Sequence, residues 1–241
     1  MSAPTLGWPA ALQLVRHGES EGNVANDTAR RTGAARLEID VNDVQIPLSD
    51  TGVDQARALG RWFRDVAADE RPTRAVISPY VRAQQTAELV IAEAGLDDVS
   101  VICDERLRDR EQGVLDRLTG AGFREQFPDE SARRDHVGKF WYRPTGGESW
   151  ADVAARMRAV LLELRLTMPG ERILVVSHDV PILIARYILD RLTTDDAVAL
   201  SGEVRNCSVT TYVDDGEGLV LRSFNDVSAL DRDTAPVTAH E

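Results

Sequence analysis

Short apolar runs alternate along this chain with longer segments of helical periodicity. The runs at residues 11–15, 75–77, 99–103 and 172–177 are rich in aliphatic side chains, and each is followed by polar residues. Short apolar runs of this kind are typical of strands whose sheet is covered on both faces. The alternation therefore predicts an α/β fold in three layers, with a mainly parallel sheet and helices on both faces.

The predicted helices lie between these strands. Apolar side chains recur in them at helical spacing, and Gly or Pro-Gly follows two of the patterns where they end. Asp50 or Thr51 is predicted to cap the first of these helices. The others are predicted to run from Ser78-Pro79 to Ala94, from Trp150 to Met168 and from Ile182 to Leu189. Residues 209–213 and 219–224 predict a hairpin near the end of the chain.

We expect residues 1–241 to form a single domain, because no linker separates two independent patterns. The irregular segment at about 106–143 predicts a helical lid insertion. It carries nine basic and seven acidic residues, whereas the whole chain has a net charge of −12. A locally basic insertion favours a small anionic ligand, and a solvated helical excursion is the alternative. The polar residues 226–241 are predicted to be a frayed, flexible tail.

The acidic composition limits the classes of partner. Binding to nucleic acid requires clustered positive charge, which a net charge of −12 opposes. No segment approaches the roughly 20 apolar residues of a membrane span, and Met1–Pro4 lacks the basic start of a secretory signal. We therefore expect a cytoplasmic protein. Cys103 and Cys207 match no zinc or redox spacing, so both are predicted to be small core residues.

Two of the four histidines share an unusual placement. His17 and His178 each directly follow a strand-like apolar run, whereas His136 and His240 do not. The carboxyl ends of the strands in an open α/β sheet form the edge where ligands bind. We expect His17 and His178 to face one another at this edge, although either one alone is compatible with a hydrogen-bonded core histidine.

A facing pair of histidines is compatible with zinc binding or with nucleophilic catalysis. A zinc site requires further ligands at recognisable spacing, and the sequence shows none. A neutral imidazole is nucleophilic near pH 7 and can carry a phosphoryl group. Arg16 lies beside His17, and a guanidinium group binds phosphate through paired hydrogen bonds. The pattern therefore favours phosphoryl chemistry.

Ordered motif blocks across residues 11–213 resemble the histidine phosphatase superfamily, whose fold is called phosphoglycerate mutase-like. The blocks are Leu14-Val15-Arg16-His17-Gly18-Glu19-Ser20 with Asn23, Pro47-Leu48-Ser49-Asp50-Thr51-Gly52 with Gln55-Ala56, Ser78-Pro79-Tyr80-Val81-Arg82-Ala83 with Thr86-Ala87, Gly146-Gly147-Glu148-Ser149, Val176-Ser177-His178, and Asn206-Cys207-Ser208-Val209-Thr210.

The resemblance implies a role for each polar residue of these blocks. His17 is expected to be the residue that is phosphorylated during turnover. Arg16, Arg82 and His178 are expected to form the rest of the phosphate pocket, with Asn23 as a further donor. These donors neutralise charge on the transferring phosphoryl group, so the resemblance implies no metal and no cofactor. The implied partner is a small phosphorylated substrate.

The resemblance implies that Asp109 is the proton donor, because it follows Leu107 by two positions in a segment that ends at Gly113. Glu111 is the competing candidate, since in an extended segment it would point to the same side. Solvation of both carboxylates is the third possibility. Asp179 departs from the family, in which many members have glycine after this histidine. Its carboxylate would repel the substrate unless it turns away or pairs with an arginine, and we expect it to point outward.

Three functions follow from the resemblance. The leading hypothesis is a phosphatase that acts through phosphohistidine. The second is a phosphoglycerate mutase, although the mutase branch has Tyr-Gly-x-Leu-Gln-Gly after the acid, and this chain has Gln112-Gly113-Val114-Leu115-Asp116-Arg117. The third is a non-catalytic protein that binds a phosphorylated ligand.

The predicted lid supplies candidate contacts beyond the reacting phosphate. Its basic candidates are Arg133, Arg134, His136, Lys139 and Arg143. The aromatic run Phe140–Tyr142 is expected to anchor the lid in the core, and stacking on a substrate ring is the alternative. The edges of the C-terminal hairpin make a dimer possible, and the sequence leaves the oligomeric state open.

Overall fold

A six-stranded sheet lies at the centre of the computed structural model, which describes residues 7–239. Its strands are β1 (Ala11–Arg16), β2 (Arg74–Ile77), β3 (Ser100–Cys103), β4 (Arg172–Ser177), β5 (Val209–Asp214) and β6 (Leu219–Asp226). Their order across the sheet is β3-β2-β4-β1-β5-β6. The first four of these are parallel, and β5 and β6 add an antiparallel hairpin at one edge. The prediction of a mainly parallel sheet is confirmed.

Helices cover both faces of this sheet. They are α1 (Glu21–Thr32), α2 (Asp50–Asp65), α3 (Val81–Ala94), α4 (Gly120–Gln126), α5 (Pro128–Val137), α6 (Trp150–Thr167), α7 (Asp179–Leu189), α8 (Thr194–Ala199) and α9 (Ser228–Arg232). Helices α4 and α5 lie within the segment at 106–143 that the sequence predicts to be a lid. Whether this segment acts as a lid stays a prediction.

Alternate side chains of the central strands enter two separate cores. In β4, Ile173 and Val175 pack with α6 and α7, whereas Leu174 and Val176 pack with α2 and α3 on the opposite face. This is the side-chain period of two that a strand imposes. Because both faces of β1 and β4 are buried, the polar residues that follow these strands are held on a rigid edge.

The starts of three predicted helices differ from the structure. Helix α3 begins at Val81, after the predicted start at Ser78-Pro79. Ser49, rather than Asp50 or Thr51, caps α2, because its side chain accepts a hydrogen bond from the amide of Gly52 at 3.1 Å. Helix α7 begins at Asp179, earlier than the apolar pattern indicates. Gly95 ends α3 as predicted, in the left-handed conformation with φ of 63°.

The C-terminal segment packs against the domain instead of fraying. Residues 228–232 form α9, which contacts α2, and Leu230 is fully buried. Gln55 donates from Nε2 to the carbonyl of Pro236 at 2.8 Å. The segment is held by one buried leucine, Leu230, and by a few side-chain hydrogen bonds. The mostly polar composition of residues 226–241 gives no sign of these contacts. The prediction of a frayed tail is therefore wrong for residues 228–238.

The two cysteines occupy different environments. Cys207 is buried in the core as predicted, whereas Cys103 is exposed on β3, because β3 is an edge strand of the sheet. Within residues 7–239, no helix is long and apolar enough to cross a membrane. Residues 1–4 and His240 lie outside the described residues.

Candidate active site

Strands β1 and β4 bring His17 and His178 together. The two strands are parallel neighbours, and Arg16 pairs with Ser177 at their carboxyl ends. The amide of His17 donates to the carbonyl of Ser177 at 3.0 Å. The two imidazole rings then meet with their centroids 5.0 Å apart and their planes at 63°. The facing arrangement expected from the sequence is therefore present.

Two neighbours determine which nitrogen of His17 carries the proton. Nδ1 lies 2.7 Å from the carbonyl oxygen of Gly18, which can only accept, so Nδ1 carries hydrogen. The Nε of Arg82, which can only donate, lies 3.2 Å from Nε2. The lone pair of a neutral imidazole is therefore on Nε2. Burial lowers the pKa of His17 well below 6.5, and the positive charge of Arg82 adds to this effect.

Arg82 lies in the first turn of α3 and contacts several groups of the site. Besides the contact with His17, it donates from Nη1 to the carbonyl oxygen and to the carboxylate of Asp43, at 2.7 and 3.0 Å. Its Nη2 donates to the carboxylate of Asp109 at 3.2 Å. The guanidinium carbon lies 4.8 Å from the ring centroid of Tyr80. These contacts fix a charged group beside the nucleophilic nitrogen.

Arg16 and Asn23 line the same cavity as His17. Arg16 is buried and donates from Nη1 to the carbonyl of Val204 at 2.5 Å. Burial lowers its pKa, and the negative charges of Asp179 and Asp109 oppose this shift. Asn23 lies in the first turn of α1 and accepts at Oδ1 from the amide of Ser20 at 3.0 Å. Because Oδ1 accepts this bond, the side-chain Nδ2 is the atom through which Asn23 can donate to a ligand.

His178 is fully buried and is held by a residue that the sequence analysis did not single out. Its Nε2 lies 2.8 Å from Oγ of Ser78, at the end of β2. Its Nδ1 lies 3.5 Å from the carboxylate of Asp109. Burial lowers the pKa of His178 well below 6.5, and Arg82 and Arg16 contribute to the same effect. His178 is therefore a neutral hydrogen-bonding group near pH 7.

The structure separates the two candidate proton donors. Asp109 lines the cavity, and its carboxylate contacts Arg82 and His178. Glu111 does not line the cavity; its side chain is 49% exposed and lies 3.5 Å from the guanidinium of Arg108. The geometry therefore favours Asp109 over Glu111 as the carboxyl that can reach a leaving group.

A partly buried ion pair between Arg156 and Glu148 holds the loop that carries Asp109. Arg156 of α6 donates to the main-chain carbonyls of Arg106, Arg108 and Asp109, at 2.5, 2.9 and 3.1 Å. It also contacts the carboxylate of Glu148 through two nitrogens, each at 3.0 Å. The sequence analysis missed Arg156, because hydrogen bonds to main-chain carbonyls leave no pattern in the residues that supply them.

Asp179 does not point outward as expected. It is the first residue of α7, it lines the cavity, and the positive charge of Arg16 acts on its carboxylate. The expectation failed because α7 begins directly at Asp179, so its side chain stays at the helix end that faces the site. Burial raises the pKa of Asp179, and the charge of Arg16 opposes the shift.

The cavity around these residues is large and electropositive. It has a volume of about 740 Å³ and extends from His17 to α4 and α5. Among the lining side chains are eight cationic groups and four carboxylates, which leaves a surplus of four positive charges in a protein whose net charge is −12. Such a field favours an anionic ligand.

Only two of the five basic lid candidates line this cavity, Arg134 and Lys139. The other three are on the surface, where Arg133 pairs with Glu130 and Arg143 with Asp152. Helix α5 turns Arg133 and His136 away from the site because they lie on its outer face.

The aromatic run of the lid behaves as an anchor. Phe140 and Tyr142 are buried, whereas Trp141 is 57% exposed. Phe140 packs against Trp150 and Tyr187, with ring centroids 6.3 and 5.0 Å away. Tyr142 also lines the cavity. The anchoring role favoured by the sequence fits this packing.

Within residues 7–239, no group of three or more His, Cys, Asp or Glu side chains is arranged to hold a metal ion.

A family model of the histidine phosphatase superfamily, branch 1, matches residues 12–227. The chain belongs to the histidine phosphatase superfamily. The match spans every residue assigned above to the site.

The curated relatives and solved structures that are similar to this chain include a mutase and a phosphatase. A 2,3-bisphosphoglycerate-dependent phosphoglycerate mutase of Methylorubrum extorquens is 31% identical over 196 residues, which covers 78% of this chain and 83% of the relative. A mycobacterial glucosyl-3-phosphoglycerate phosphatase, solved with VO3, is 27% identical with a TM-score of 0.69 and covers 90% of this chain and 99% of its own. A structure titled mycobacterial hydrolase 1 is 26% identical, with a TM-score of 0.71 and coverage of 90% and 98%.

Proposed function

We propose that this protein hydrolyses phosphomonoesters through a phosphohistidine formed on His17, without a metal ion. The observation that carries the proposal is the pair of hydrogen bonds made by His17. The carbonyl of Gly18 holds the proton on Nδ1, and Nε2 accepts from Nε of Arg82 beside the cavity that His17, Arg16 and Arg82 line. A neutral, oriented imidazole beside two guanidinium groups is suited to attack on an anionic phosphoryl group.

In the first half-reaction, Nε2 of His17 forms a bond to phosphorus while the ester P–O bond breaks. Asp109 donates its proton to the departing alkoxide oxygen, so the alcohol leaves neutral. Arg16, Arg82 and His178 donate hydrogen bonds to the phosphoryl oxygens, and Asn23 supplies a further donor.

In the second half-reaction, water attacks the phosphohistidine. The carboxylate of Asp109 accepts a proton from this water, and the P–N bond breaks with its electrons returning to Nε2. The products are inorganic phosphate, neutral His17 and a protonated Asp109, which restores the starting state. The same carboxyl thus serves as acid and then as base.

A phosphoglycerate mutase is the second candidate, because curated relatives that are 31% identical have this name. In a mutase, the phosphoryl group on His17 would pass to another hydroxyl of the substrate before water reaches it. The electropositive cavity suits either reaction. The hydrolase remains our proposal because this chain has Gln112–Arg117 where the mutase branch has its own motif. A non-catalytic binding protein is the third candidate, and the intact set of His17, Arg16, Arg82 and His178 argues against it.

The test is release of phosphate from an aryl phosphate in the presence of EDTA, compared between wild type, His17→Ala and His136→Ala. His136 is an exposed histidine of α5 that lines no part of the cavity. We expect EDTA-resistant turnover by wild type and His136→Ala, and none by His17→Ala. Incubation with 3-phosphoglycerate and a trace of 2,3-bisphosphoglycerate separates the second candidate. Formation of 2-phosphoglycerate without net phosphate release would overturn the hydrolase proposal in favour of a mutase.

A further inference from the structure

Arg82 donates four hydrogen bonds to protein atoms in this structure, from a guanidinium that has five N–H groups. Nη1 donates to the carbonyl oxygen and the carboxylate of Asp43, and Nη2 donates to Asp109. The side chain of Arg82 is only 5% exposed. A phosphoryl group can therefore make paired hydrogen bonds to this guanidinium only by replacing one of the two carboxylates.

Asp43 is the carboxylate with no assigned part in the proposed chemistry. It lies in the loop at 33–47 between α1 and α2, at the start of a short 3₁₀ turn. Asp43 lines the cavity, and its side chain is 40% exposed, so it can turn toward solvent without leaving a buried charge. Asp109 has a separate contact with His178. Asp43 is therefore the partner of Arg82 that a ligand displaces at lower cost.

From this geometry we infer that the carboxylate of Asp43 competes with phosphoryl oxygens for Arg82 and so sets the affinity of the site for phosphate. The inference rests on the proposed function, because it takes Arg82 to be a phosphate-binding residue. A carboxylate and a phosphoryl group present similar pairs of anionic oxygens to a guanidinium. When product phosphate leaves, Asp43 takes its place on Nη1, which favours release and limits product inhibition.

A purely structural role for Asp43 predicts the opposite result. If its side chain mainly anchors the loop at 33–47, removal of the charge loosens Arg82 and weakens phosphate binding. The main-chain carbonyl of Asp43 accepts from Arg82 at 2.7 Å whichever side chain is present. Asp43→Asn therefore keeps this anchor while it removes the negative charge, so the two roles differ in the sign of the effect.

The experiment is calorimetric titration of inorganic phosphate into wild type, Asp43→Asn and Asp40→Asn. Asp40 is the matched control, because it is an exposed carboxylate of the same loop that does not line the cavity. We expect Asp43→Asn to bind phosphate about fivefold more tightly than wild type. A factor of this size corresponds to the free energy of a partly exposed ion pair. Asp40→Asn should stay within about twofold, since it removes only a screened charge. The inhibition constant of phosphate in aryl phosphate hydrolysis should fall in parallel for Asp43→Asn.

Equal or weaker binding by Asp43→Asn, with wild type binding phosphate, overturns the inference and leaves the proposed function standing. Tightening of the same size in Asp40→Asn also overturns it, since the effect would then be the general charge of the loop. No binding by any variant contradicts the proposed function as well. Asp43→Ser, which also keeps the carbonyl anchor, serves as the second variant. If neither variant folds, the structural role is correct and the inference is wrong.

Discussion

The carboxylate of Asp109 lies 3.5 Å from Nδ1 of His178, at the cavity that His17 and Arg16 also line. The same carboxylate contacts Arg82, whose Nε reaches the nucleophilic nitrogen of His17. A single guanidinium thus joins the proposed nucleophile to the proposed acid. In the proposed reaction, this arrangement would put the carboxyl of Asp109 beside the phosphoryl group on His17, on the side from which the leaving oxygen departs.

Replacement of Asp109 by Asn is expected to lower kcat for an alkyl phosphate by about 10²- to 10³-fold, because the alkoxide then leaves without a proton. The loss should be much smaller for p-nitrophenyl phosphate, whose leaving group is stable as an anion. Glu111→Gln is the matched control and should stay within about twofold on both substrates. Steady-state rates with the two substrates check this, and a larger loss in Glu111→Gln would transfer the role to Glu111.

Acid pH is expected to destabilise the fold through the two buried histidines. The pKa of His17 and of His178 is lowered well below 6.5. As pH falls below 6.5, the unfolded chain takes up protons that the folded chain excludes, so the free energy of unfolding decreases. The limiting slope is about 1.4 kcal/mol per pH unit for each histidine. Above pH 6.5 these histidines are neutral in the folded and the unfolded chain, so they do not lower the free energy of unfolding there.

Urea unfolding at pH 7.5 and 5.5 measures this effect in wild type, His17→Gln and His136→Gln. We expect a smaller loss of unfolding free energy in His17→Gln than in wild type, because one of the two buried histidines is gone. His136 is exposed, so His136→Gln should behave as wild type. An identical pH dependence in wild type and His17→Gln would show that His17 is not held neutral in the folded state.

Arg156→Gln is expected to lower kcat by about tenfold or more while KM changes little. Arg156 holds the main chain of the Asp109 loop but does not line the cavity, so its loss displaces the acid rather than the phosphate pocket. Arg156→Lys should recover only part of kcat, because an ammonium cannot reproduce the paired contacts with Glu148. Arg158→Gln on the exposed side of α6 is the control. A rise in KM with unchanged kcat would contradict the positioning role.

Leu230→Ala is expected to lower the free energy of unfolding by about 2–5 kcal/mol, because this side chain is fully buried between α9 and the rest of the domain. Val237→Ala, at a residue that is 42% exposed, should change it by less than about 0.5 kcal/mol. Denaturant titrations of both variants test whether the C-terminal segment belongs to the folded domain. Equal stability of Leu230→Ala and wild type would show that it does not.

The sequence predicts the parts of this molecule that repeat a local pattern. The strands β1 and β4 are continuous apolar runs, so their pairing and the meeting of His17 with His178 follow from the rule for parallel sheets. Helix α1 was missed because its residues are mostly polar. A Ser20–Asn23 capping box marks its start, and this is the local signal that could have revealed it.

Contacts between segments that are distant along the chain leave no comparable pattern in the sequence. Arg156 reaches the carbonyl of Asp109 across 47 residues, and Arg82 reaches Asp43 across 39. Each depends on how the loops between the strands pack, which neither periodicity nor spacing encodes. Asp179 shows the same limit, because its direction depends on the exact start of α7.

The most direct test of the account is whether His17 becomes phosphorylated during turnover. Wild type is mixed with an excess of aryl phosphate, quenched in alkali within one turnover, and digested for peptide mass analysis. The account predicts an alkali-stable, acid-labile phosphoryl group on His17 that disappears as phosphate is released, and no label in His17→Ala. A label on another residue, or full turnover by His17→Ala, would contradict the account.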